Sequence, residues 1–441
     1  MSNLNDNPYR SLVYGVDNKI PLINKKKVVG INFDNAATTP PLKAVVEEVI
    51  NFSSYYSSIH RGEGYKSRLS TFLYDNSRNV VRSFIGGFNN DIDIIYVQNC
   101  TEAINKLAGI LSQKHSDAVV ISTYMEHHSN DLPWRKNFNV KYVAVDDQGC
   151  LILDSLKQLL DEYNGKVVLV TATGASNVTG HKNDIYEIAS LAHSHGAKIL
   201  VDGAQLIPHD TFSMTSPKVN KNIDFVVFSG HKLYAPYGCG VLAGPREFFT
   251  ENAPDHVGGG TIDYVSHKKV FWTASPNKEE AGSPNVIGAI ALGASLKKLS
   301  ELSMKNISCY EKILTKYLTS NIHSIPDVIL YGDYRNVDNK VSILPFNIEG
   351  LHYNTVARIL SYEYGIAVRS GCFCAHPYVQ TLLKIPDDIS EKLSTAPKSA
   401  HPGMVRISFG LYNTIEEINK LLYALEAISK NRTYYLHKYE T

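Results

Sequence analysis

The sequence predicts an α/β protein with a mostly parallel central sheet and a smaller C-terminal α+β domain. Three observations predict it: short continuous apolar runs, amphipathic helical stretches between them, and a change of pattern after Gly288. The apolar runs are Ile94 to Val97, Ala118 to Ile121, Val140 to Val145, Val167 to Val170, Ile199 to Val201, Phe225 to Phe228 and Gly240 to Leu242. They do not alternate with polar residues, so each suits a strand covered on both faces, as in a parallel sheet. Between them, Asp184 to Ser194 sets Ile185, Ile188, Leu191 and Ala192 on one helical stripe. Asp184 is placed to cap that helix and Gly196 to stop it. After Gly288 a long helical stretch runs from Ala289 through Leu302 to Tyr317. Shorter elements follow at Val341 to Phe346, Val368-Arg369 and Met404 to Ser408, with a last helix near Ile415 to Ile428. The polar segment Pro386 to Pro402 reads as a loop, and the Tyr-rich tail from Lys430 as loosely packed. The expected organisation is an N-terminal segment, 1–29, packing on the small domain, a large domain over 30–290, and a small domain over 291–441.

Composition narrows the function classes. The chain has 441 residues and a formal net charge of +1, so no strong field invites nucleic acid or an anionic membrane. No apolar run is long enough to cross a bilayer, and Met1 to Arg10 lacks the apolar core of a secretion signal. Six cysteines, scattered except for Cys372 and Cys374, fit a reducing cytoplasm better than a disulfide scaffold. Cys372 to His376 has no second ligand pair at zinc-like spacing, so no metal is expected.

Two runs carry the chemistry. Lys198 to Val201 delivers Asp202 to the end of one strand, and Asp224 to Phe228 delivers Ser229-Gly230-His231-Lys232 to the end of another. Ligands of such sheets bind beyond the carboxyl ends of the strands. A lysine amine and a carboxylate at one sheet edge are what pyridoxal 5′-phosphate (PLP) needs. The amine bonds the aldehyde, and the carboxylate keeps the pyridine nitrogen protonated so that the ring accepts electrons.

These motifs belong to an ordered set: Asp34 to Thr38, His60-Arg61-Gly62, Thr101 to Asn105, Glu126 to Asn130, Ser176 to Gly180, the Asp202 and Lys232 runs, Glu280 to Asn285, Arg369 to Ala375, and Arg406-Ile407-Ser408. The set resembles class V aminotransferase-fold PLP enzymes of fold type I, aspartate aminotransferase-like, within them the cysteine desulfurase and selenocysteine lyase branch. The resemblance covers roughly residues 30 to 428. It implies that Lys232 carries the cofactor and Asp202 holds its ring nitrogen. His127 would stack on the ring and shuttle protons, and Asn177 and Gln205 would bond the ring hydroxyl. Thr101, Ser229 and His231 would hold the phosphate, joined by Ser283 from a partner subunit. Thr101 also reads as the opening of a helix, where a hydroxyl and free N–H groups suit a phosphate. Arg406 would clamp the substrate carboxylate with two parallel bonds. Arg369, His60, Arg61 and Asn35 resemble further substrate-side residues, Arg61 near the neighbouring subunit's site. His128 reads as structural.

Cys374 selects the reaction that the resemblance implies. With a cysteine there, the branch abstracts sulfur from L-cysteine, leaves alanine and holds the sulfur as an enzyme persulfide. The expected substrate is L-cysteine or a related sulfur or selenium amino acid, the expected assembly a homodimer, and the expected partner a sulfur-acceptor protein. Selenocysteine lyase, a C–S lyase for a larger sulfur-containing amino acid, and a class V epimerase or aminotransferase are the alternative enzymes. A scaffold that kept the fold without catalysis is the alternative of another class. One departure stands out: Cys372-Phe373 replaces the two histidines usual before the cysteine, a Gly-Cys-Phe-Cys form that also resembles the PLP domain of molybdenum cofactor sulfurases.

Overall fold

The computed structural model describes residues 7–87, 91–115, 117–216, 218, 220–393, 395–397 and 401–439. Seven of its strands form one sheet: β1 (Ile92–Val97), β2 (Val119–Thr123), β3 (Asn139–Val143), β4 (Val167–Thr173), β5 (Lys198–Asp202), β6 (Phe225–Ser229) and β7 (Gly240–Pro245). Their spatial order is β1-β7-β6-β5-β4-β2-β3. The continuous apolar runs have the expected consequence, since every residue of β2 and β6 is buried. The pairs β3–β2, β2–β4, β4–β5 and β5–β6 are parallel, so their carboxyl ends share one edge. β7 is the reversal. It runs antiparallel to both β1 and β6. Only the short loop from Gly230 to Cys239 joins it to β6, too little chain for the crossover that a parallel partner needs.

Helices cover the sheet. The relevant ones are α1 (Cys100–Ser112), α2 (Ile185–Ser194), α3 (Val286–Leu302) and α4 (Met304–Ile322). α2 starts as its sequence requires: the Asp184 side chain accepts the N–H of Glu187. The long helix expected from Ala289 to Tyr317 is instead α3 and α4, broken at Ser303 with φ of 69°. The break redirects the chain. Leu292, Leu296 and Leu299 of α3 pack in the main core, and Leu314, Leu318 and Ile322 of α4 pack in a second one.

The second core lies on an antiparallel sheet of β8 (Val328–Leu330), β9 (Ile343–Ile348), β10 (Arg369–Gly371) and β11 (Met404–Ser408), in the order β8-β9-β11-β10. Helix Ile415–Lys430 packs on it, opened by a capping box between Thr414 and Glu417. Two expectations for this region change. The segment expected as loop contains helix Asp387–Leu393, whose first free N–H groups, Ile389 and Ser390, bond the Pro386 carbonyl. Residues 394 and 398–400 of that segment lie outside the described residues. The tail forms helix Arg432–Tyr439 as far as it is described; residues 440–441 lie outside. Tyr435 is buried against the second core, and Lys438 pairs with Glu363 at 2.7 Å. Burying one tyrosine ring supplies the area that the charged residues of the tail lack.

The expected N-terminal segment is described from Asn7 onward; its first six residues lie outside. The Asn7 side chain donates to the carbonyls of Leu411 and Asn413 at 3.0 and 2.8 Å, and Arg10 pairs with Glu417 at 2.8 Å. Tyr9 and Val13 meanwhile pack in the main core. Ile31–Asn32 then pairs in parallel with Ile366–Ala367.

The start of β7 fixes the start of α1. A Cβ on Gly240 would lie 2.6 to 2.9 Å from backbone atoms of Asn99, the cap of α1. Gly240→Ala is therefore expected to cost about 1–3 kcal/mol through overpacking. Gly64 is the control, since a Cβ there meets nothing within 4 Å and φ is −66°. Thermal melting of the two alanine variants checks this; equal melting temperatures would contradict it.

Candidate active site

The carboxyl ends of the parallel strands, together with β10 and β11, enclose a cavity of about 330 Å³. It is lined by Thr101, His127, Asn177, Asp202, Gln205, Ser229, His231, Lys232, Arg369, Cys374 and Arg406, eleven of the residues singled out from the sequence. The strands explain the meeting. Asp202 ends β5, and Lys232 sits in the single turn Gly230–Lys232 that follows the neighbouring strand β6.

Asp202 is buried, and its Oδ1 accepts the N–H of Ala204 at 2.9 Å and the Cys100 thiol at 3.4 Å. Burial raises its pKa, opposed by the Ala204 N–H and the Lys232 charge. Burial lowers the pKa of Lys232, opposed by Asp202. The two groups thus offset part of each other's desolvation. Beside them α1 opens with Asn99 as its cap, the side chain accepting the N–H of Glu102 at 3.0 Å. Thr101 is therefore not the cap, and its hydroxyl faces the cavity, 2.7 Å from that of Ser129. Ser229 Oγ accepts the N–H of Cys100 at 2.9 Å.

His127 is oriented by Ser129, whose backbone N–H donates to Nδ1 at 3.1 Å. The neutral ring therefore carries its proton on Nε2. Burial, then the Lys232 charge, pushes its pKa down to about 3. His231 is pushed down to about 4 by burial. Glu126 pins the turn before His127, accepting from Thr123 Oγ1, Asn130 Nδ2 and the Thr173 N–H at 2.6 to 2.8 Å. Burial raises its pKa to about 8.

Arg406 lies buried on β11. It donates through Nη1 to the Asn177 carbonyl at 2.8 Å and through Nη2 to Asp34 Oδ1 at 3.2 Å. Its guanidinium stands 4.9 Å from the Phe373 ring centroid, and burial lowers its pKa to about 10. Its Nε is buried with no protein partner. Arg369 approaches the other oxygen of Asp34 at 3.5 Å. Cys374 is exposed at the cavity wall, on a loop whose Phe373 and Cys374 have φ of 53° and 55°. The Asn177 side chain donates to the Phe373 carbonyl at 2.8 Å, and the His128 N–H to the Cys374 carbonyl at 2.7 Å.

The cavity fits PLP. It joins an amine, a carboxylate and a helix N-terminus suited to a phosphate. Gln205 adds an observation: its Nε2 donates to the Ala36 carbonyl at 2.7 Å, while its Oε1 is buried with no protein partner. That oxygen suits a ligand hydroxyl.

Four of the singled-out residues do not line this cavity. Asn35 is buried behind it, its amide spent on the carbonyls of Asn32 and Ser408 and its Oδ1 on Tyr412. Its neighbours Ala36 and Ala37 line the wall instead. His60 pairs with Asp75 at 3.2 Å, and Arg61 is exposed. Ser283 lines a separate cavity with Lys106 and Glu279. Sequence reasoning missed Asp34, Cys100 and Ser129. Asp34 was readable as the one acid of its motif; Cys100 and Ser129 act through neighbours that only folding supplies.

Comparison with known proteins agrees with this geometry. Residues 31–421 match the model of a family described as aminotransferase class-V. A cysteine desulfurase of Shigella sonnei is 35% identical over 90% of this chain and 93% of its own. A probable cysteine desulfurase of Synechocystis is 36% identical over 95% and 96%. Among solved structures, apo cysteine desulfurase from Thermococcus onnurineus superposes with a TM-score of 0.81 at 32% identity, covering 91% of this chain and 95% of that one. The cysteine desulfurase CsdA from Escherichia coli superposes with a TM-score of 0.79 at 27% identity, covering 96% and 98%.

Two neutral imidazoles make stability depend on pH. The folded pKa values of His127 and His231, about 3 and about 4, lie below the ordinary 6.5. Unfolding therefore takes up protons below that ordinary value. The stability is full above it and is lost as pH falls through the folded values. His127→Gln is expected to melt with a smaller drop between pH 7 and pH 5 than the wild type. An equal drop would show that His127 titrates normally.

Proposed function

The chain belongs to the class-V aminotransferase family, and we propose that it is a PLP-dependent cysteine desulfurase that converts L-cysteine to L-alanine. The observation that carries this reading is the Cys374 thiol on the wall of the cavity that also holds Lys232 and Arg406. When bound, PLP supplies an electron sink for the pair left on the substrate's α-carbon.

The chain's residues supply the rest. Lys232 Nζ would hold the cofactor, and as the base beside the substrate it would take the α-proton and later return it. Asp202 would keep the ring nitrogen protonated, and His127, with its proton on Nε2, would stand beside the ring. Thr101, Ser229 and His231 would hold the phosphate at the start of α1, and Gln205 and Asn177 would meet the ring hydroxyl. Arg406 binds the substrate carboxylate, with Arg369 at the rim. Cys374 Sγ attacks the substrate sulfur, whose bond to carbon breaks, and a proton replaces it on that carbon. L-cysteine and the Cys374 thiol thus become L-alanine and a Cys374 persulfide, with atoms and electrons in balance. The exposure of the thiol leaves it open to an acceptor protein.

The assembly we infer is a homodimer. Ser283, Arg61 and His60 stand away from the cavity of their own chain, where a partner's site would meet them. We place the protein in the cytoplasm. Six unpaired thiols fit a reducing compartment, and no helix among the described residues is long and apolar enough to cross a membrane.

Cys374→Ser is expected to lose alanine production from L-cysteine and the extra sulfur on residues 370–384. A serine hydroxyl is hardly ionised at neutral pH and makes no stable bond of this kind to sulfur. Persistent alanine production would favour a lyase without a cysteine nucleophile. Arg406→Lys is expected to raise KM for L-cysteine at least about tenfold, because a lysine cannot make two parallel bonds to a carboxylate. Steady-state kinetics with unchanged KM would contradict the clamp.

A further inference from the structure

The cysteine loop carries a second thiol that the reaction above does not use. Cys372 is partly buried and does not line the cofactor cavity. Its Sγ lies 2.9 Å from Nε2 of His376. His376 Nδ1 lies 3.1 Å from Nε2 of His128, with the two rings parallel and their centroids 5.0 Å apart. The tautomers follow from one further bond. The backbone N–H of His376 donates to His128 Nε2 at 3.2 Å, so that nitrogen is an acceptor. The His376 Nδ1 facing the same nitrogen is then the donor, which leaves Nε2 as the unprotonated nitrogen; the Cys372 Sγ packs against that edge of the ring, 3.4 Å from Nδ1 as well, so a small ring rotation brings the Nε2 lone pair onto the thiol.

The nucleophile's side of the loop is tied to this cluster. The N–H of His128 donates to the Cys374 carbonyl at 2.7 Å. The backbone of Cys374 opposes the rise in the pKa of Cys372. Burial works the other way, raising the pKa of Cys372 and lowering those of His376 and His128. At rest the cluster is a neutral thiol facing a neutral base, with both thiols on one tight turn.

We propose that Cys372 is a second sulfur carrier, which takes the outer sulfur from a Cys374 persulfide with His376 as its base. The proposal rests on the desulfurase reading. In the step, the Cys372 proton passes to His376 Nε2 and the thiolate attacks the outer sulfur. A Cys372–sulfur bond forms, the Cys374–sulfur bond breaks, and Cys374 leaves as a thiolate that recovers the proton from His376. One persulfide and one thiol give one persulfide and one thiol, so no oxidant or reductant is consumed. The transfer moves sulfur off the cavity wall and readies Cys374 for a second turnover.

Tryptic cleavage after Arg369 and Lys384 gives one peptide, Ser370 to Lys384, that contains both cysteines. Holoenzyme is mixed with L-cysteine, first equimolar and then in excess, quenched with an alkylating agent, and the sulfur is located by fragmenting this peptide. The expected result is sulfur on Cys372 after the first turnover and on both cysteines with excess substrate. His376→Gln is expected to slow arrival of sulfur at Cys372 by at least about a hundredfold, the scale of a general base. Cys372→Ser is expected to stop at one sulfur per chain. Wild-type enzyme that makes alanine and carries sulfur on Cys374 alone would overturn the proposal and leave the desulfurase reading standing. Wild-type enzyme that makes no alanine and carries no sulfur on either cysteine would overturn both. The wild-type peptide decides the matter even if a variant fails to fold.

Discussion

A buried carboxylate beside a half-buried amine is the constraint around which the site is built. Burial pushes the pKa of Asp202 up and that of Lys232 down, and the charge of each opposes the shift of the other. Asp202 ends β5 and Lys232 lies in the turn just beyond its parallel neighbour β6, so the sheet delivers both to one edge. The stretches leading to that edge, Ile199 to Val201 on β5 and Phe225 to Phe228 on β6, are buried and apolar. The same edge places the start of α1 and the turn after β2 beside the pair. The cofactor's phosphate, ring and aldehyde would each meet a different element of one rigid frame.

The second constraint is that the cysteine loop belongs to the other core. β10 and β11 carry Arg369 and Arg406, and the loop leaves β10 toward the cavity. Three contacts hold it there: Asn177 to the Phe373 carbonyl, the His128 N–H to the Cys374 carbonyl, and Arg406 over the Phe373 ring. Phe373 takes one of the two places where histidines are usual, and it serves as a floor for the arginine. The left-handed backbone at Phe373 and Cys374 turns the thiol to the cavity wall at a conformational cost that these contacts offset.

Much of the frame was legible because it rests on local rules. Continuous apolar runs mark strands covered on both faces, and the Asp184 cap and Gly196 stop mark a helix. The acid and the amine are readable because each ends such a run. What stayed hidden depends on tertiary contacts. No local signal shows that Ser303 divides one apparent helix or that a tyrosine anchors the tail. Asn35 illustrates the limit: its motif lines the cavity through two alanines, while its own amide ties the N-terminal strand to Ser408. Asp34 illustrates another: it is readable as the one acid of its motif, but the two arginines that share its carboxylate come from the far end of the chain and meet it only once the protein folds.

The central claim is that this frame holds PLP on one lysine. The direct measurement is to reduce the purified protein with borohydride, digest it, and locate the pyridoxyl group by mass spectrometry. The account predicts the group on Lys232, at one per chain. A pyridoxyl group on any other lysine, or none on a protein saturated with PLP, would contradict it.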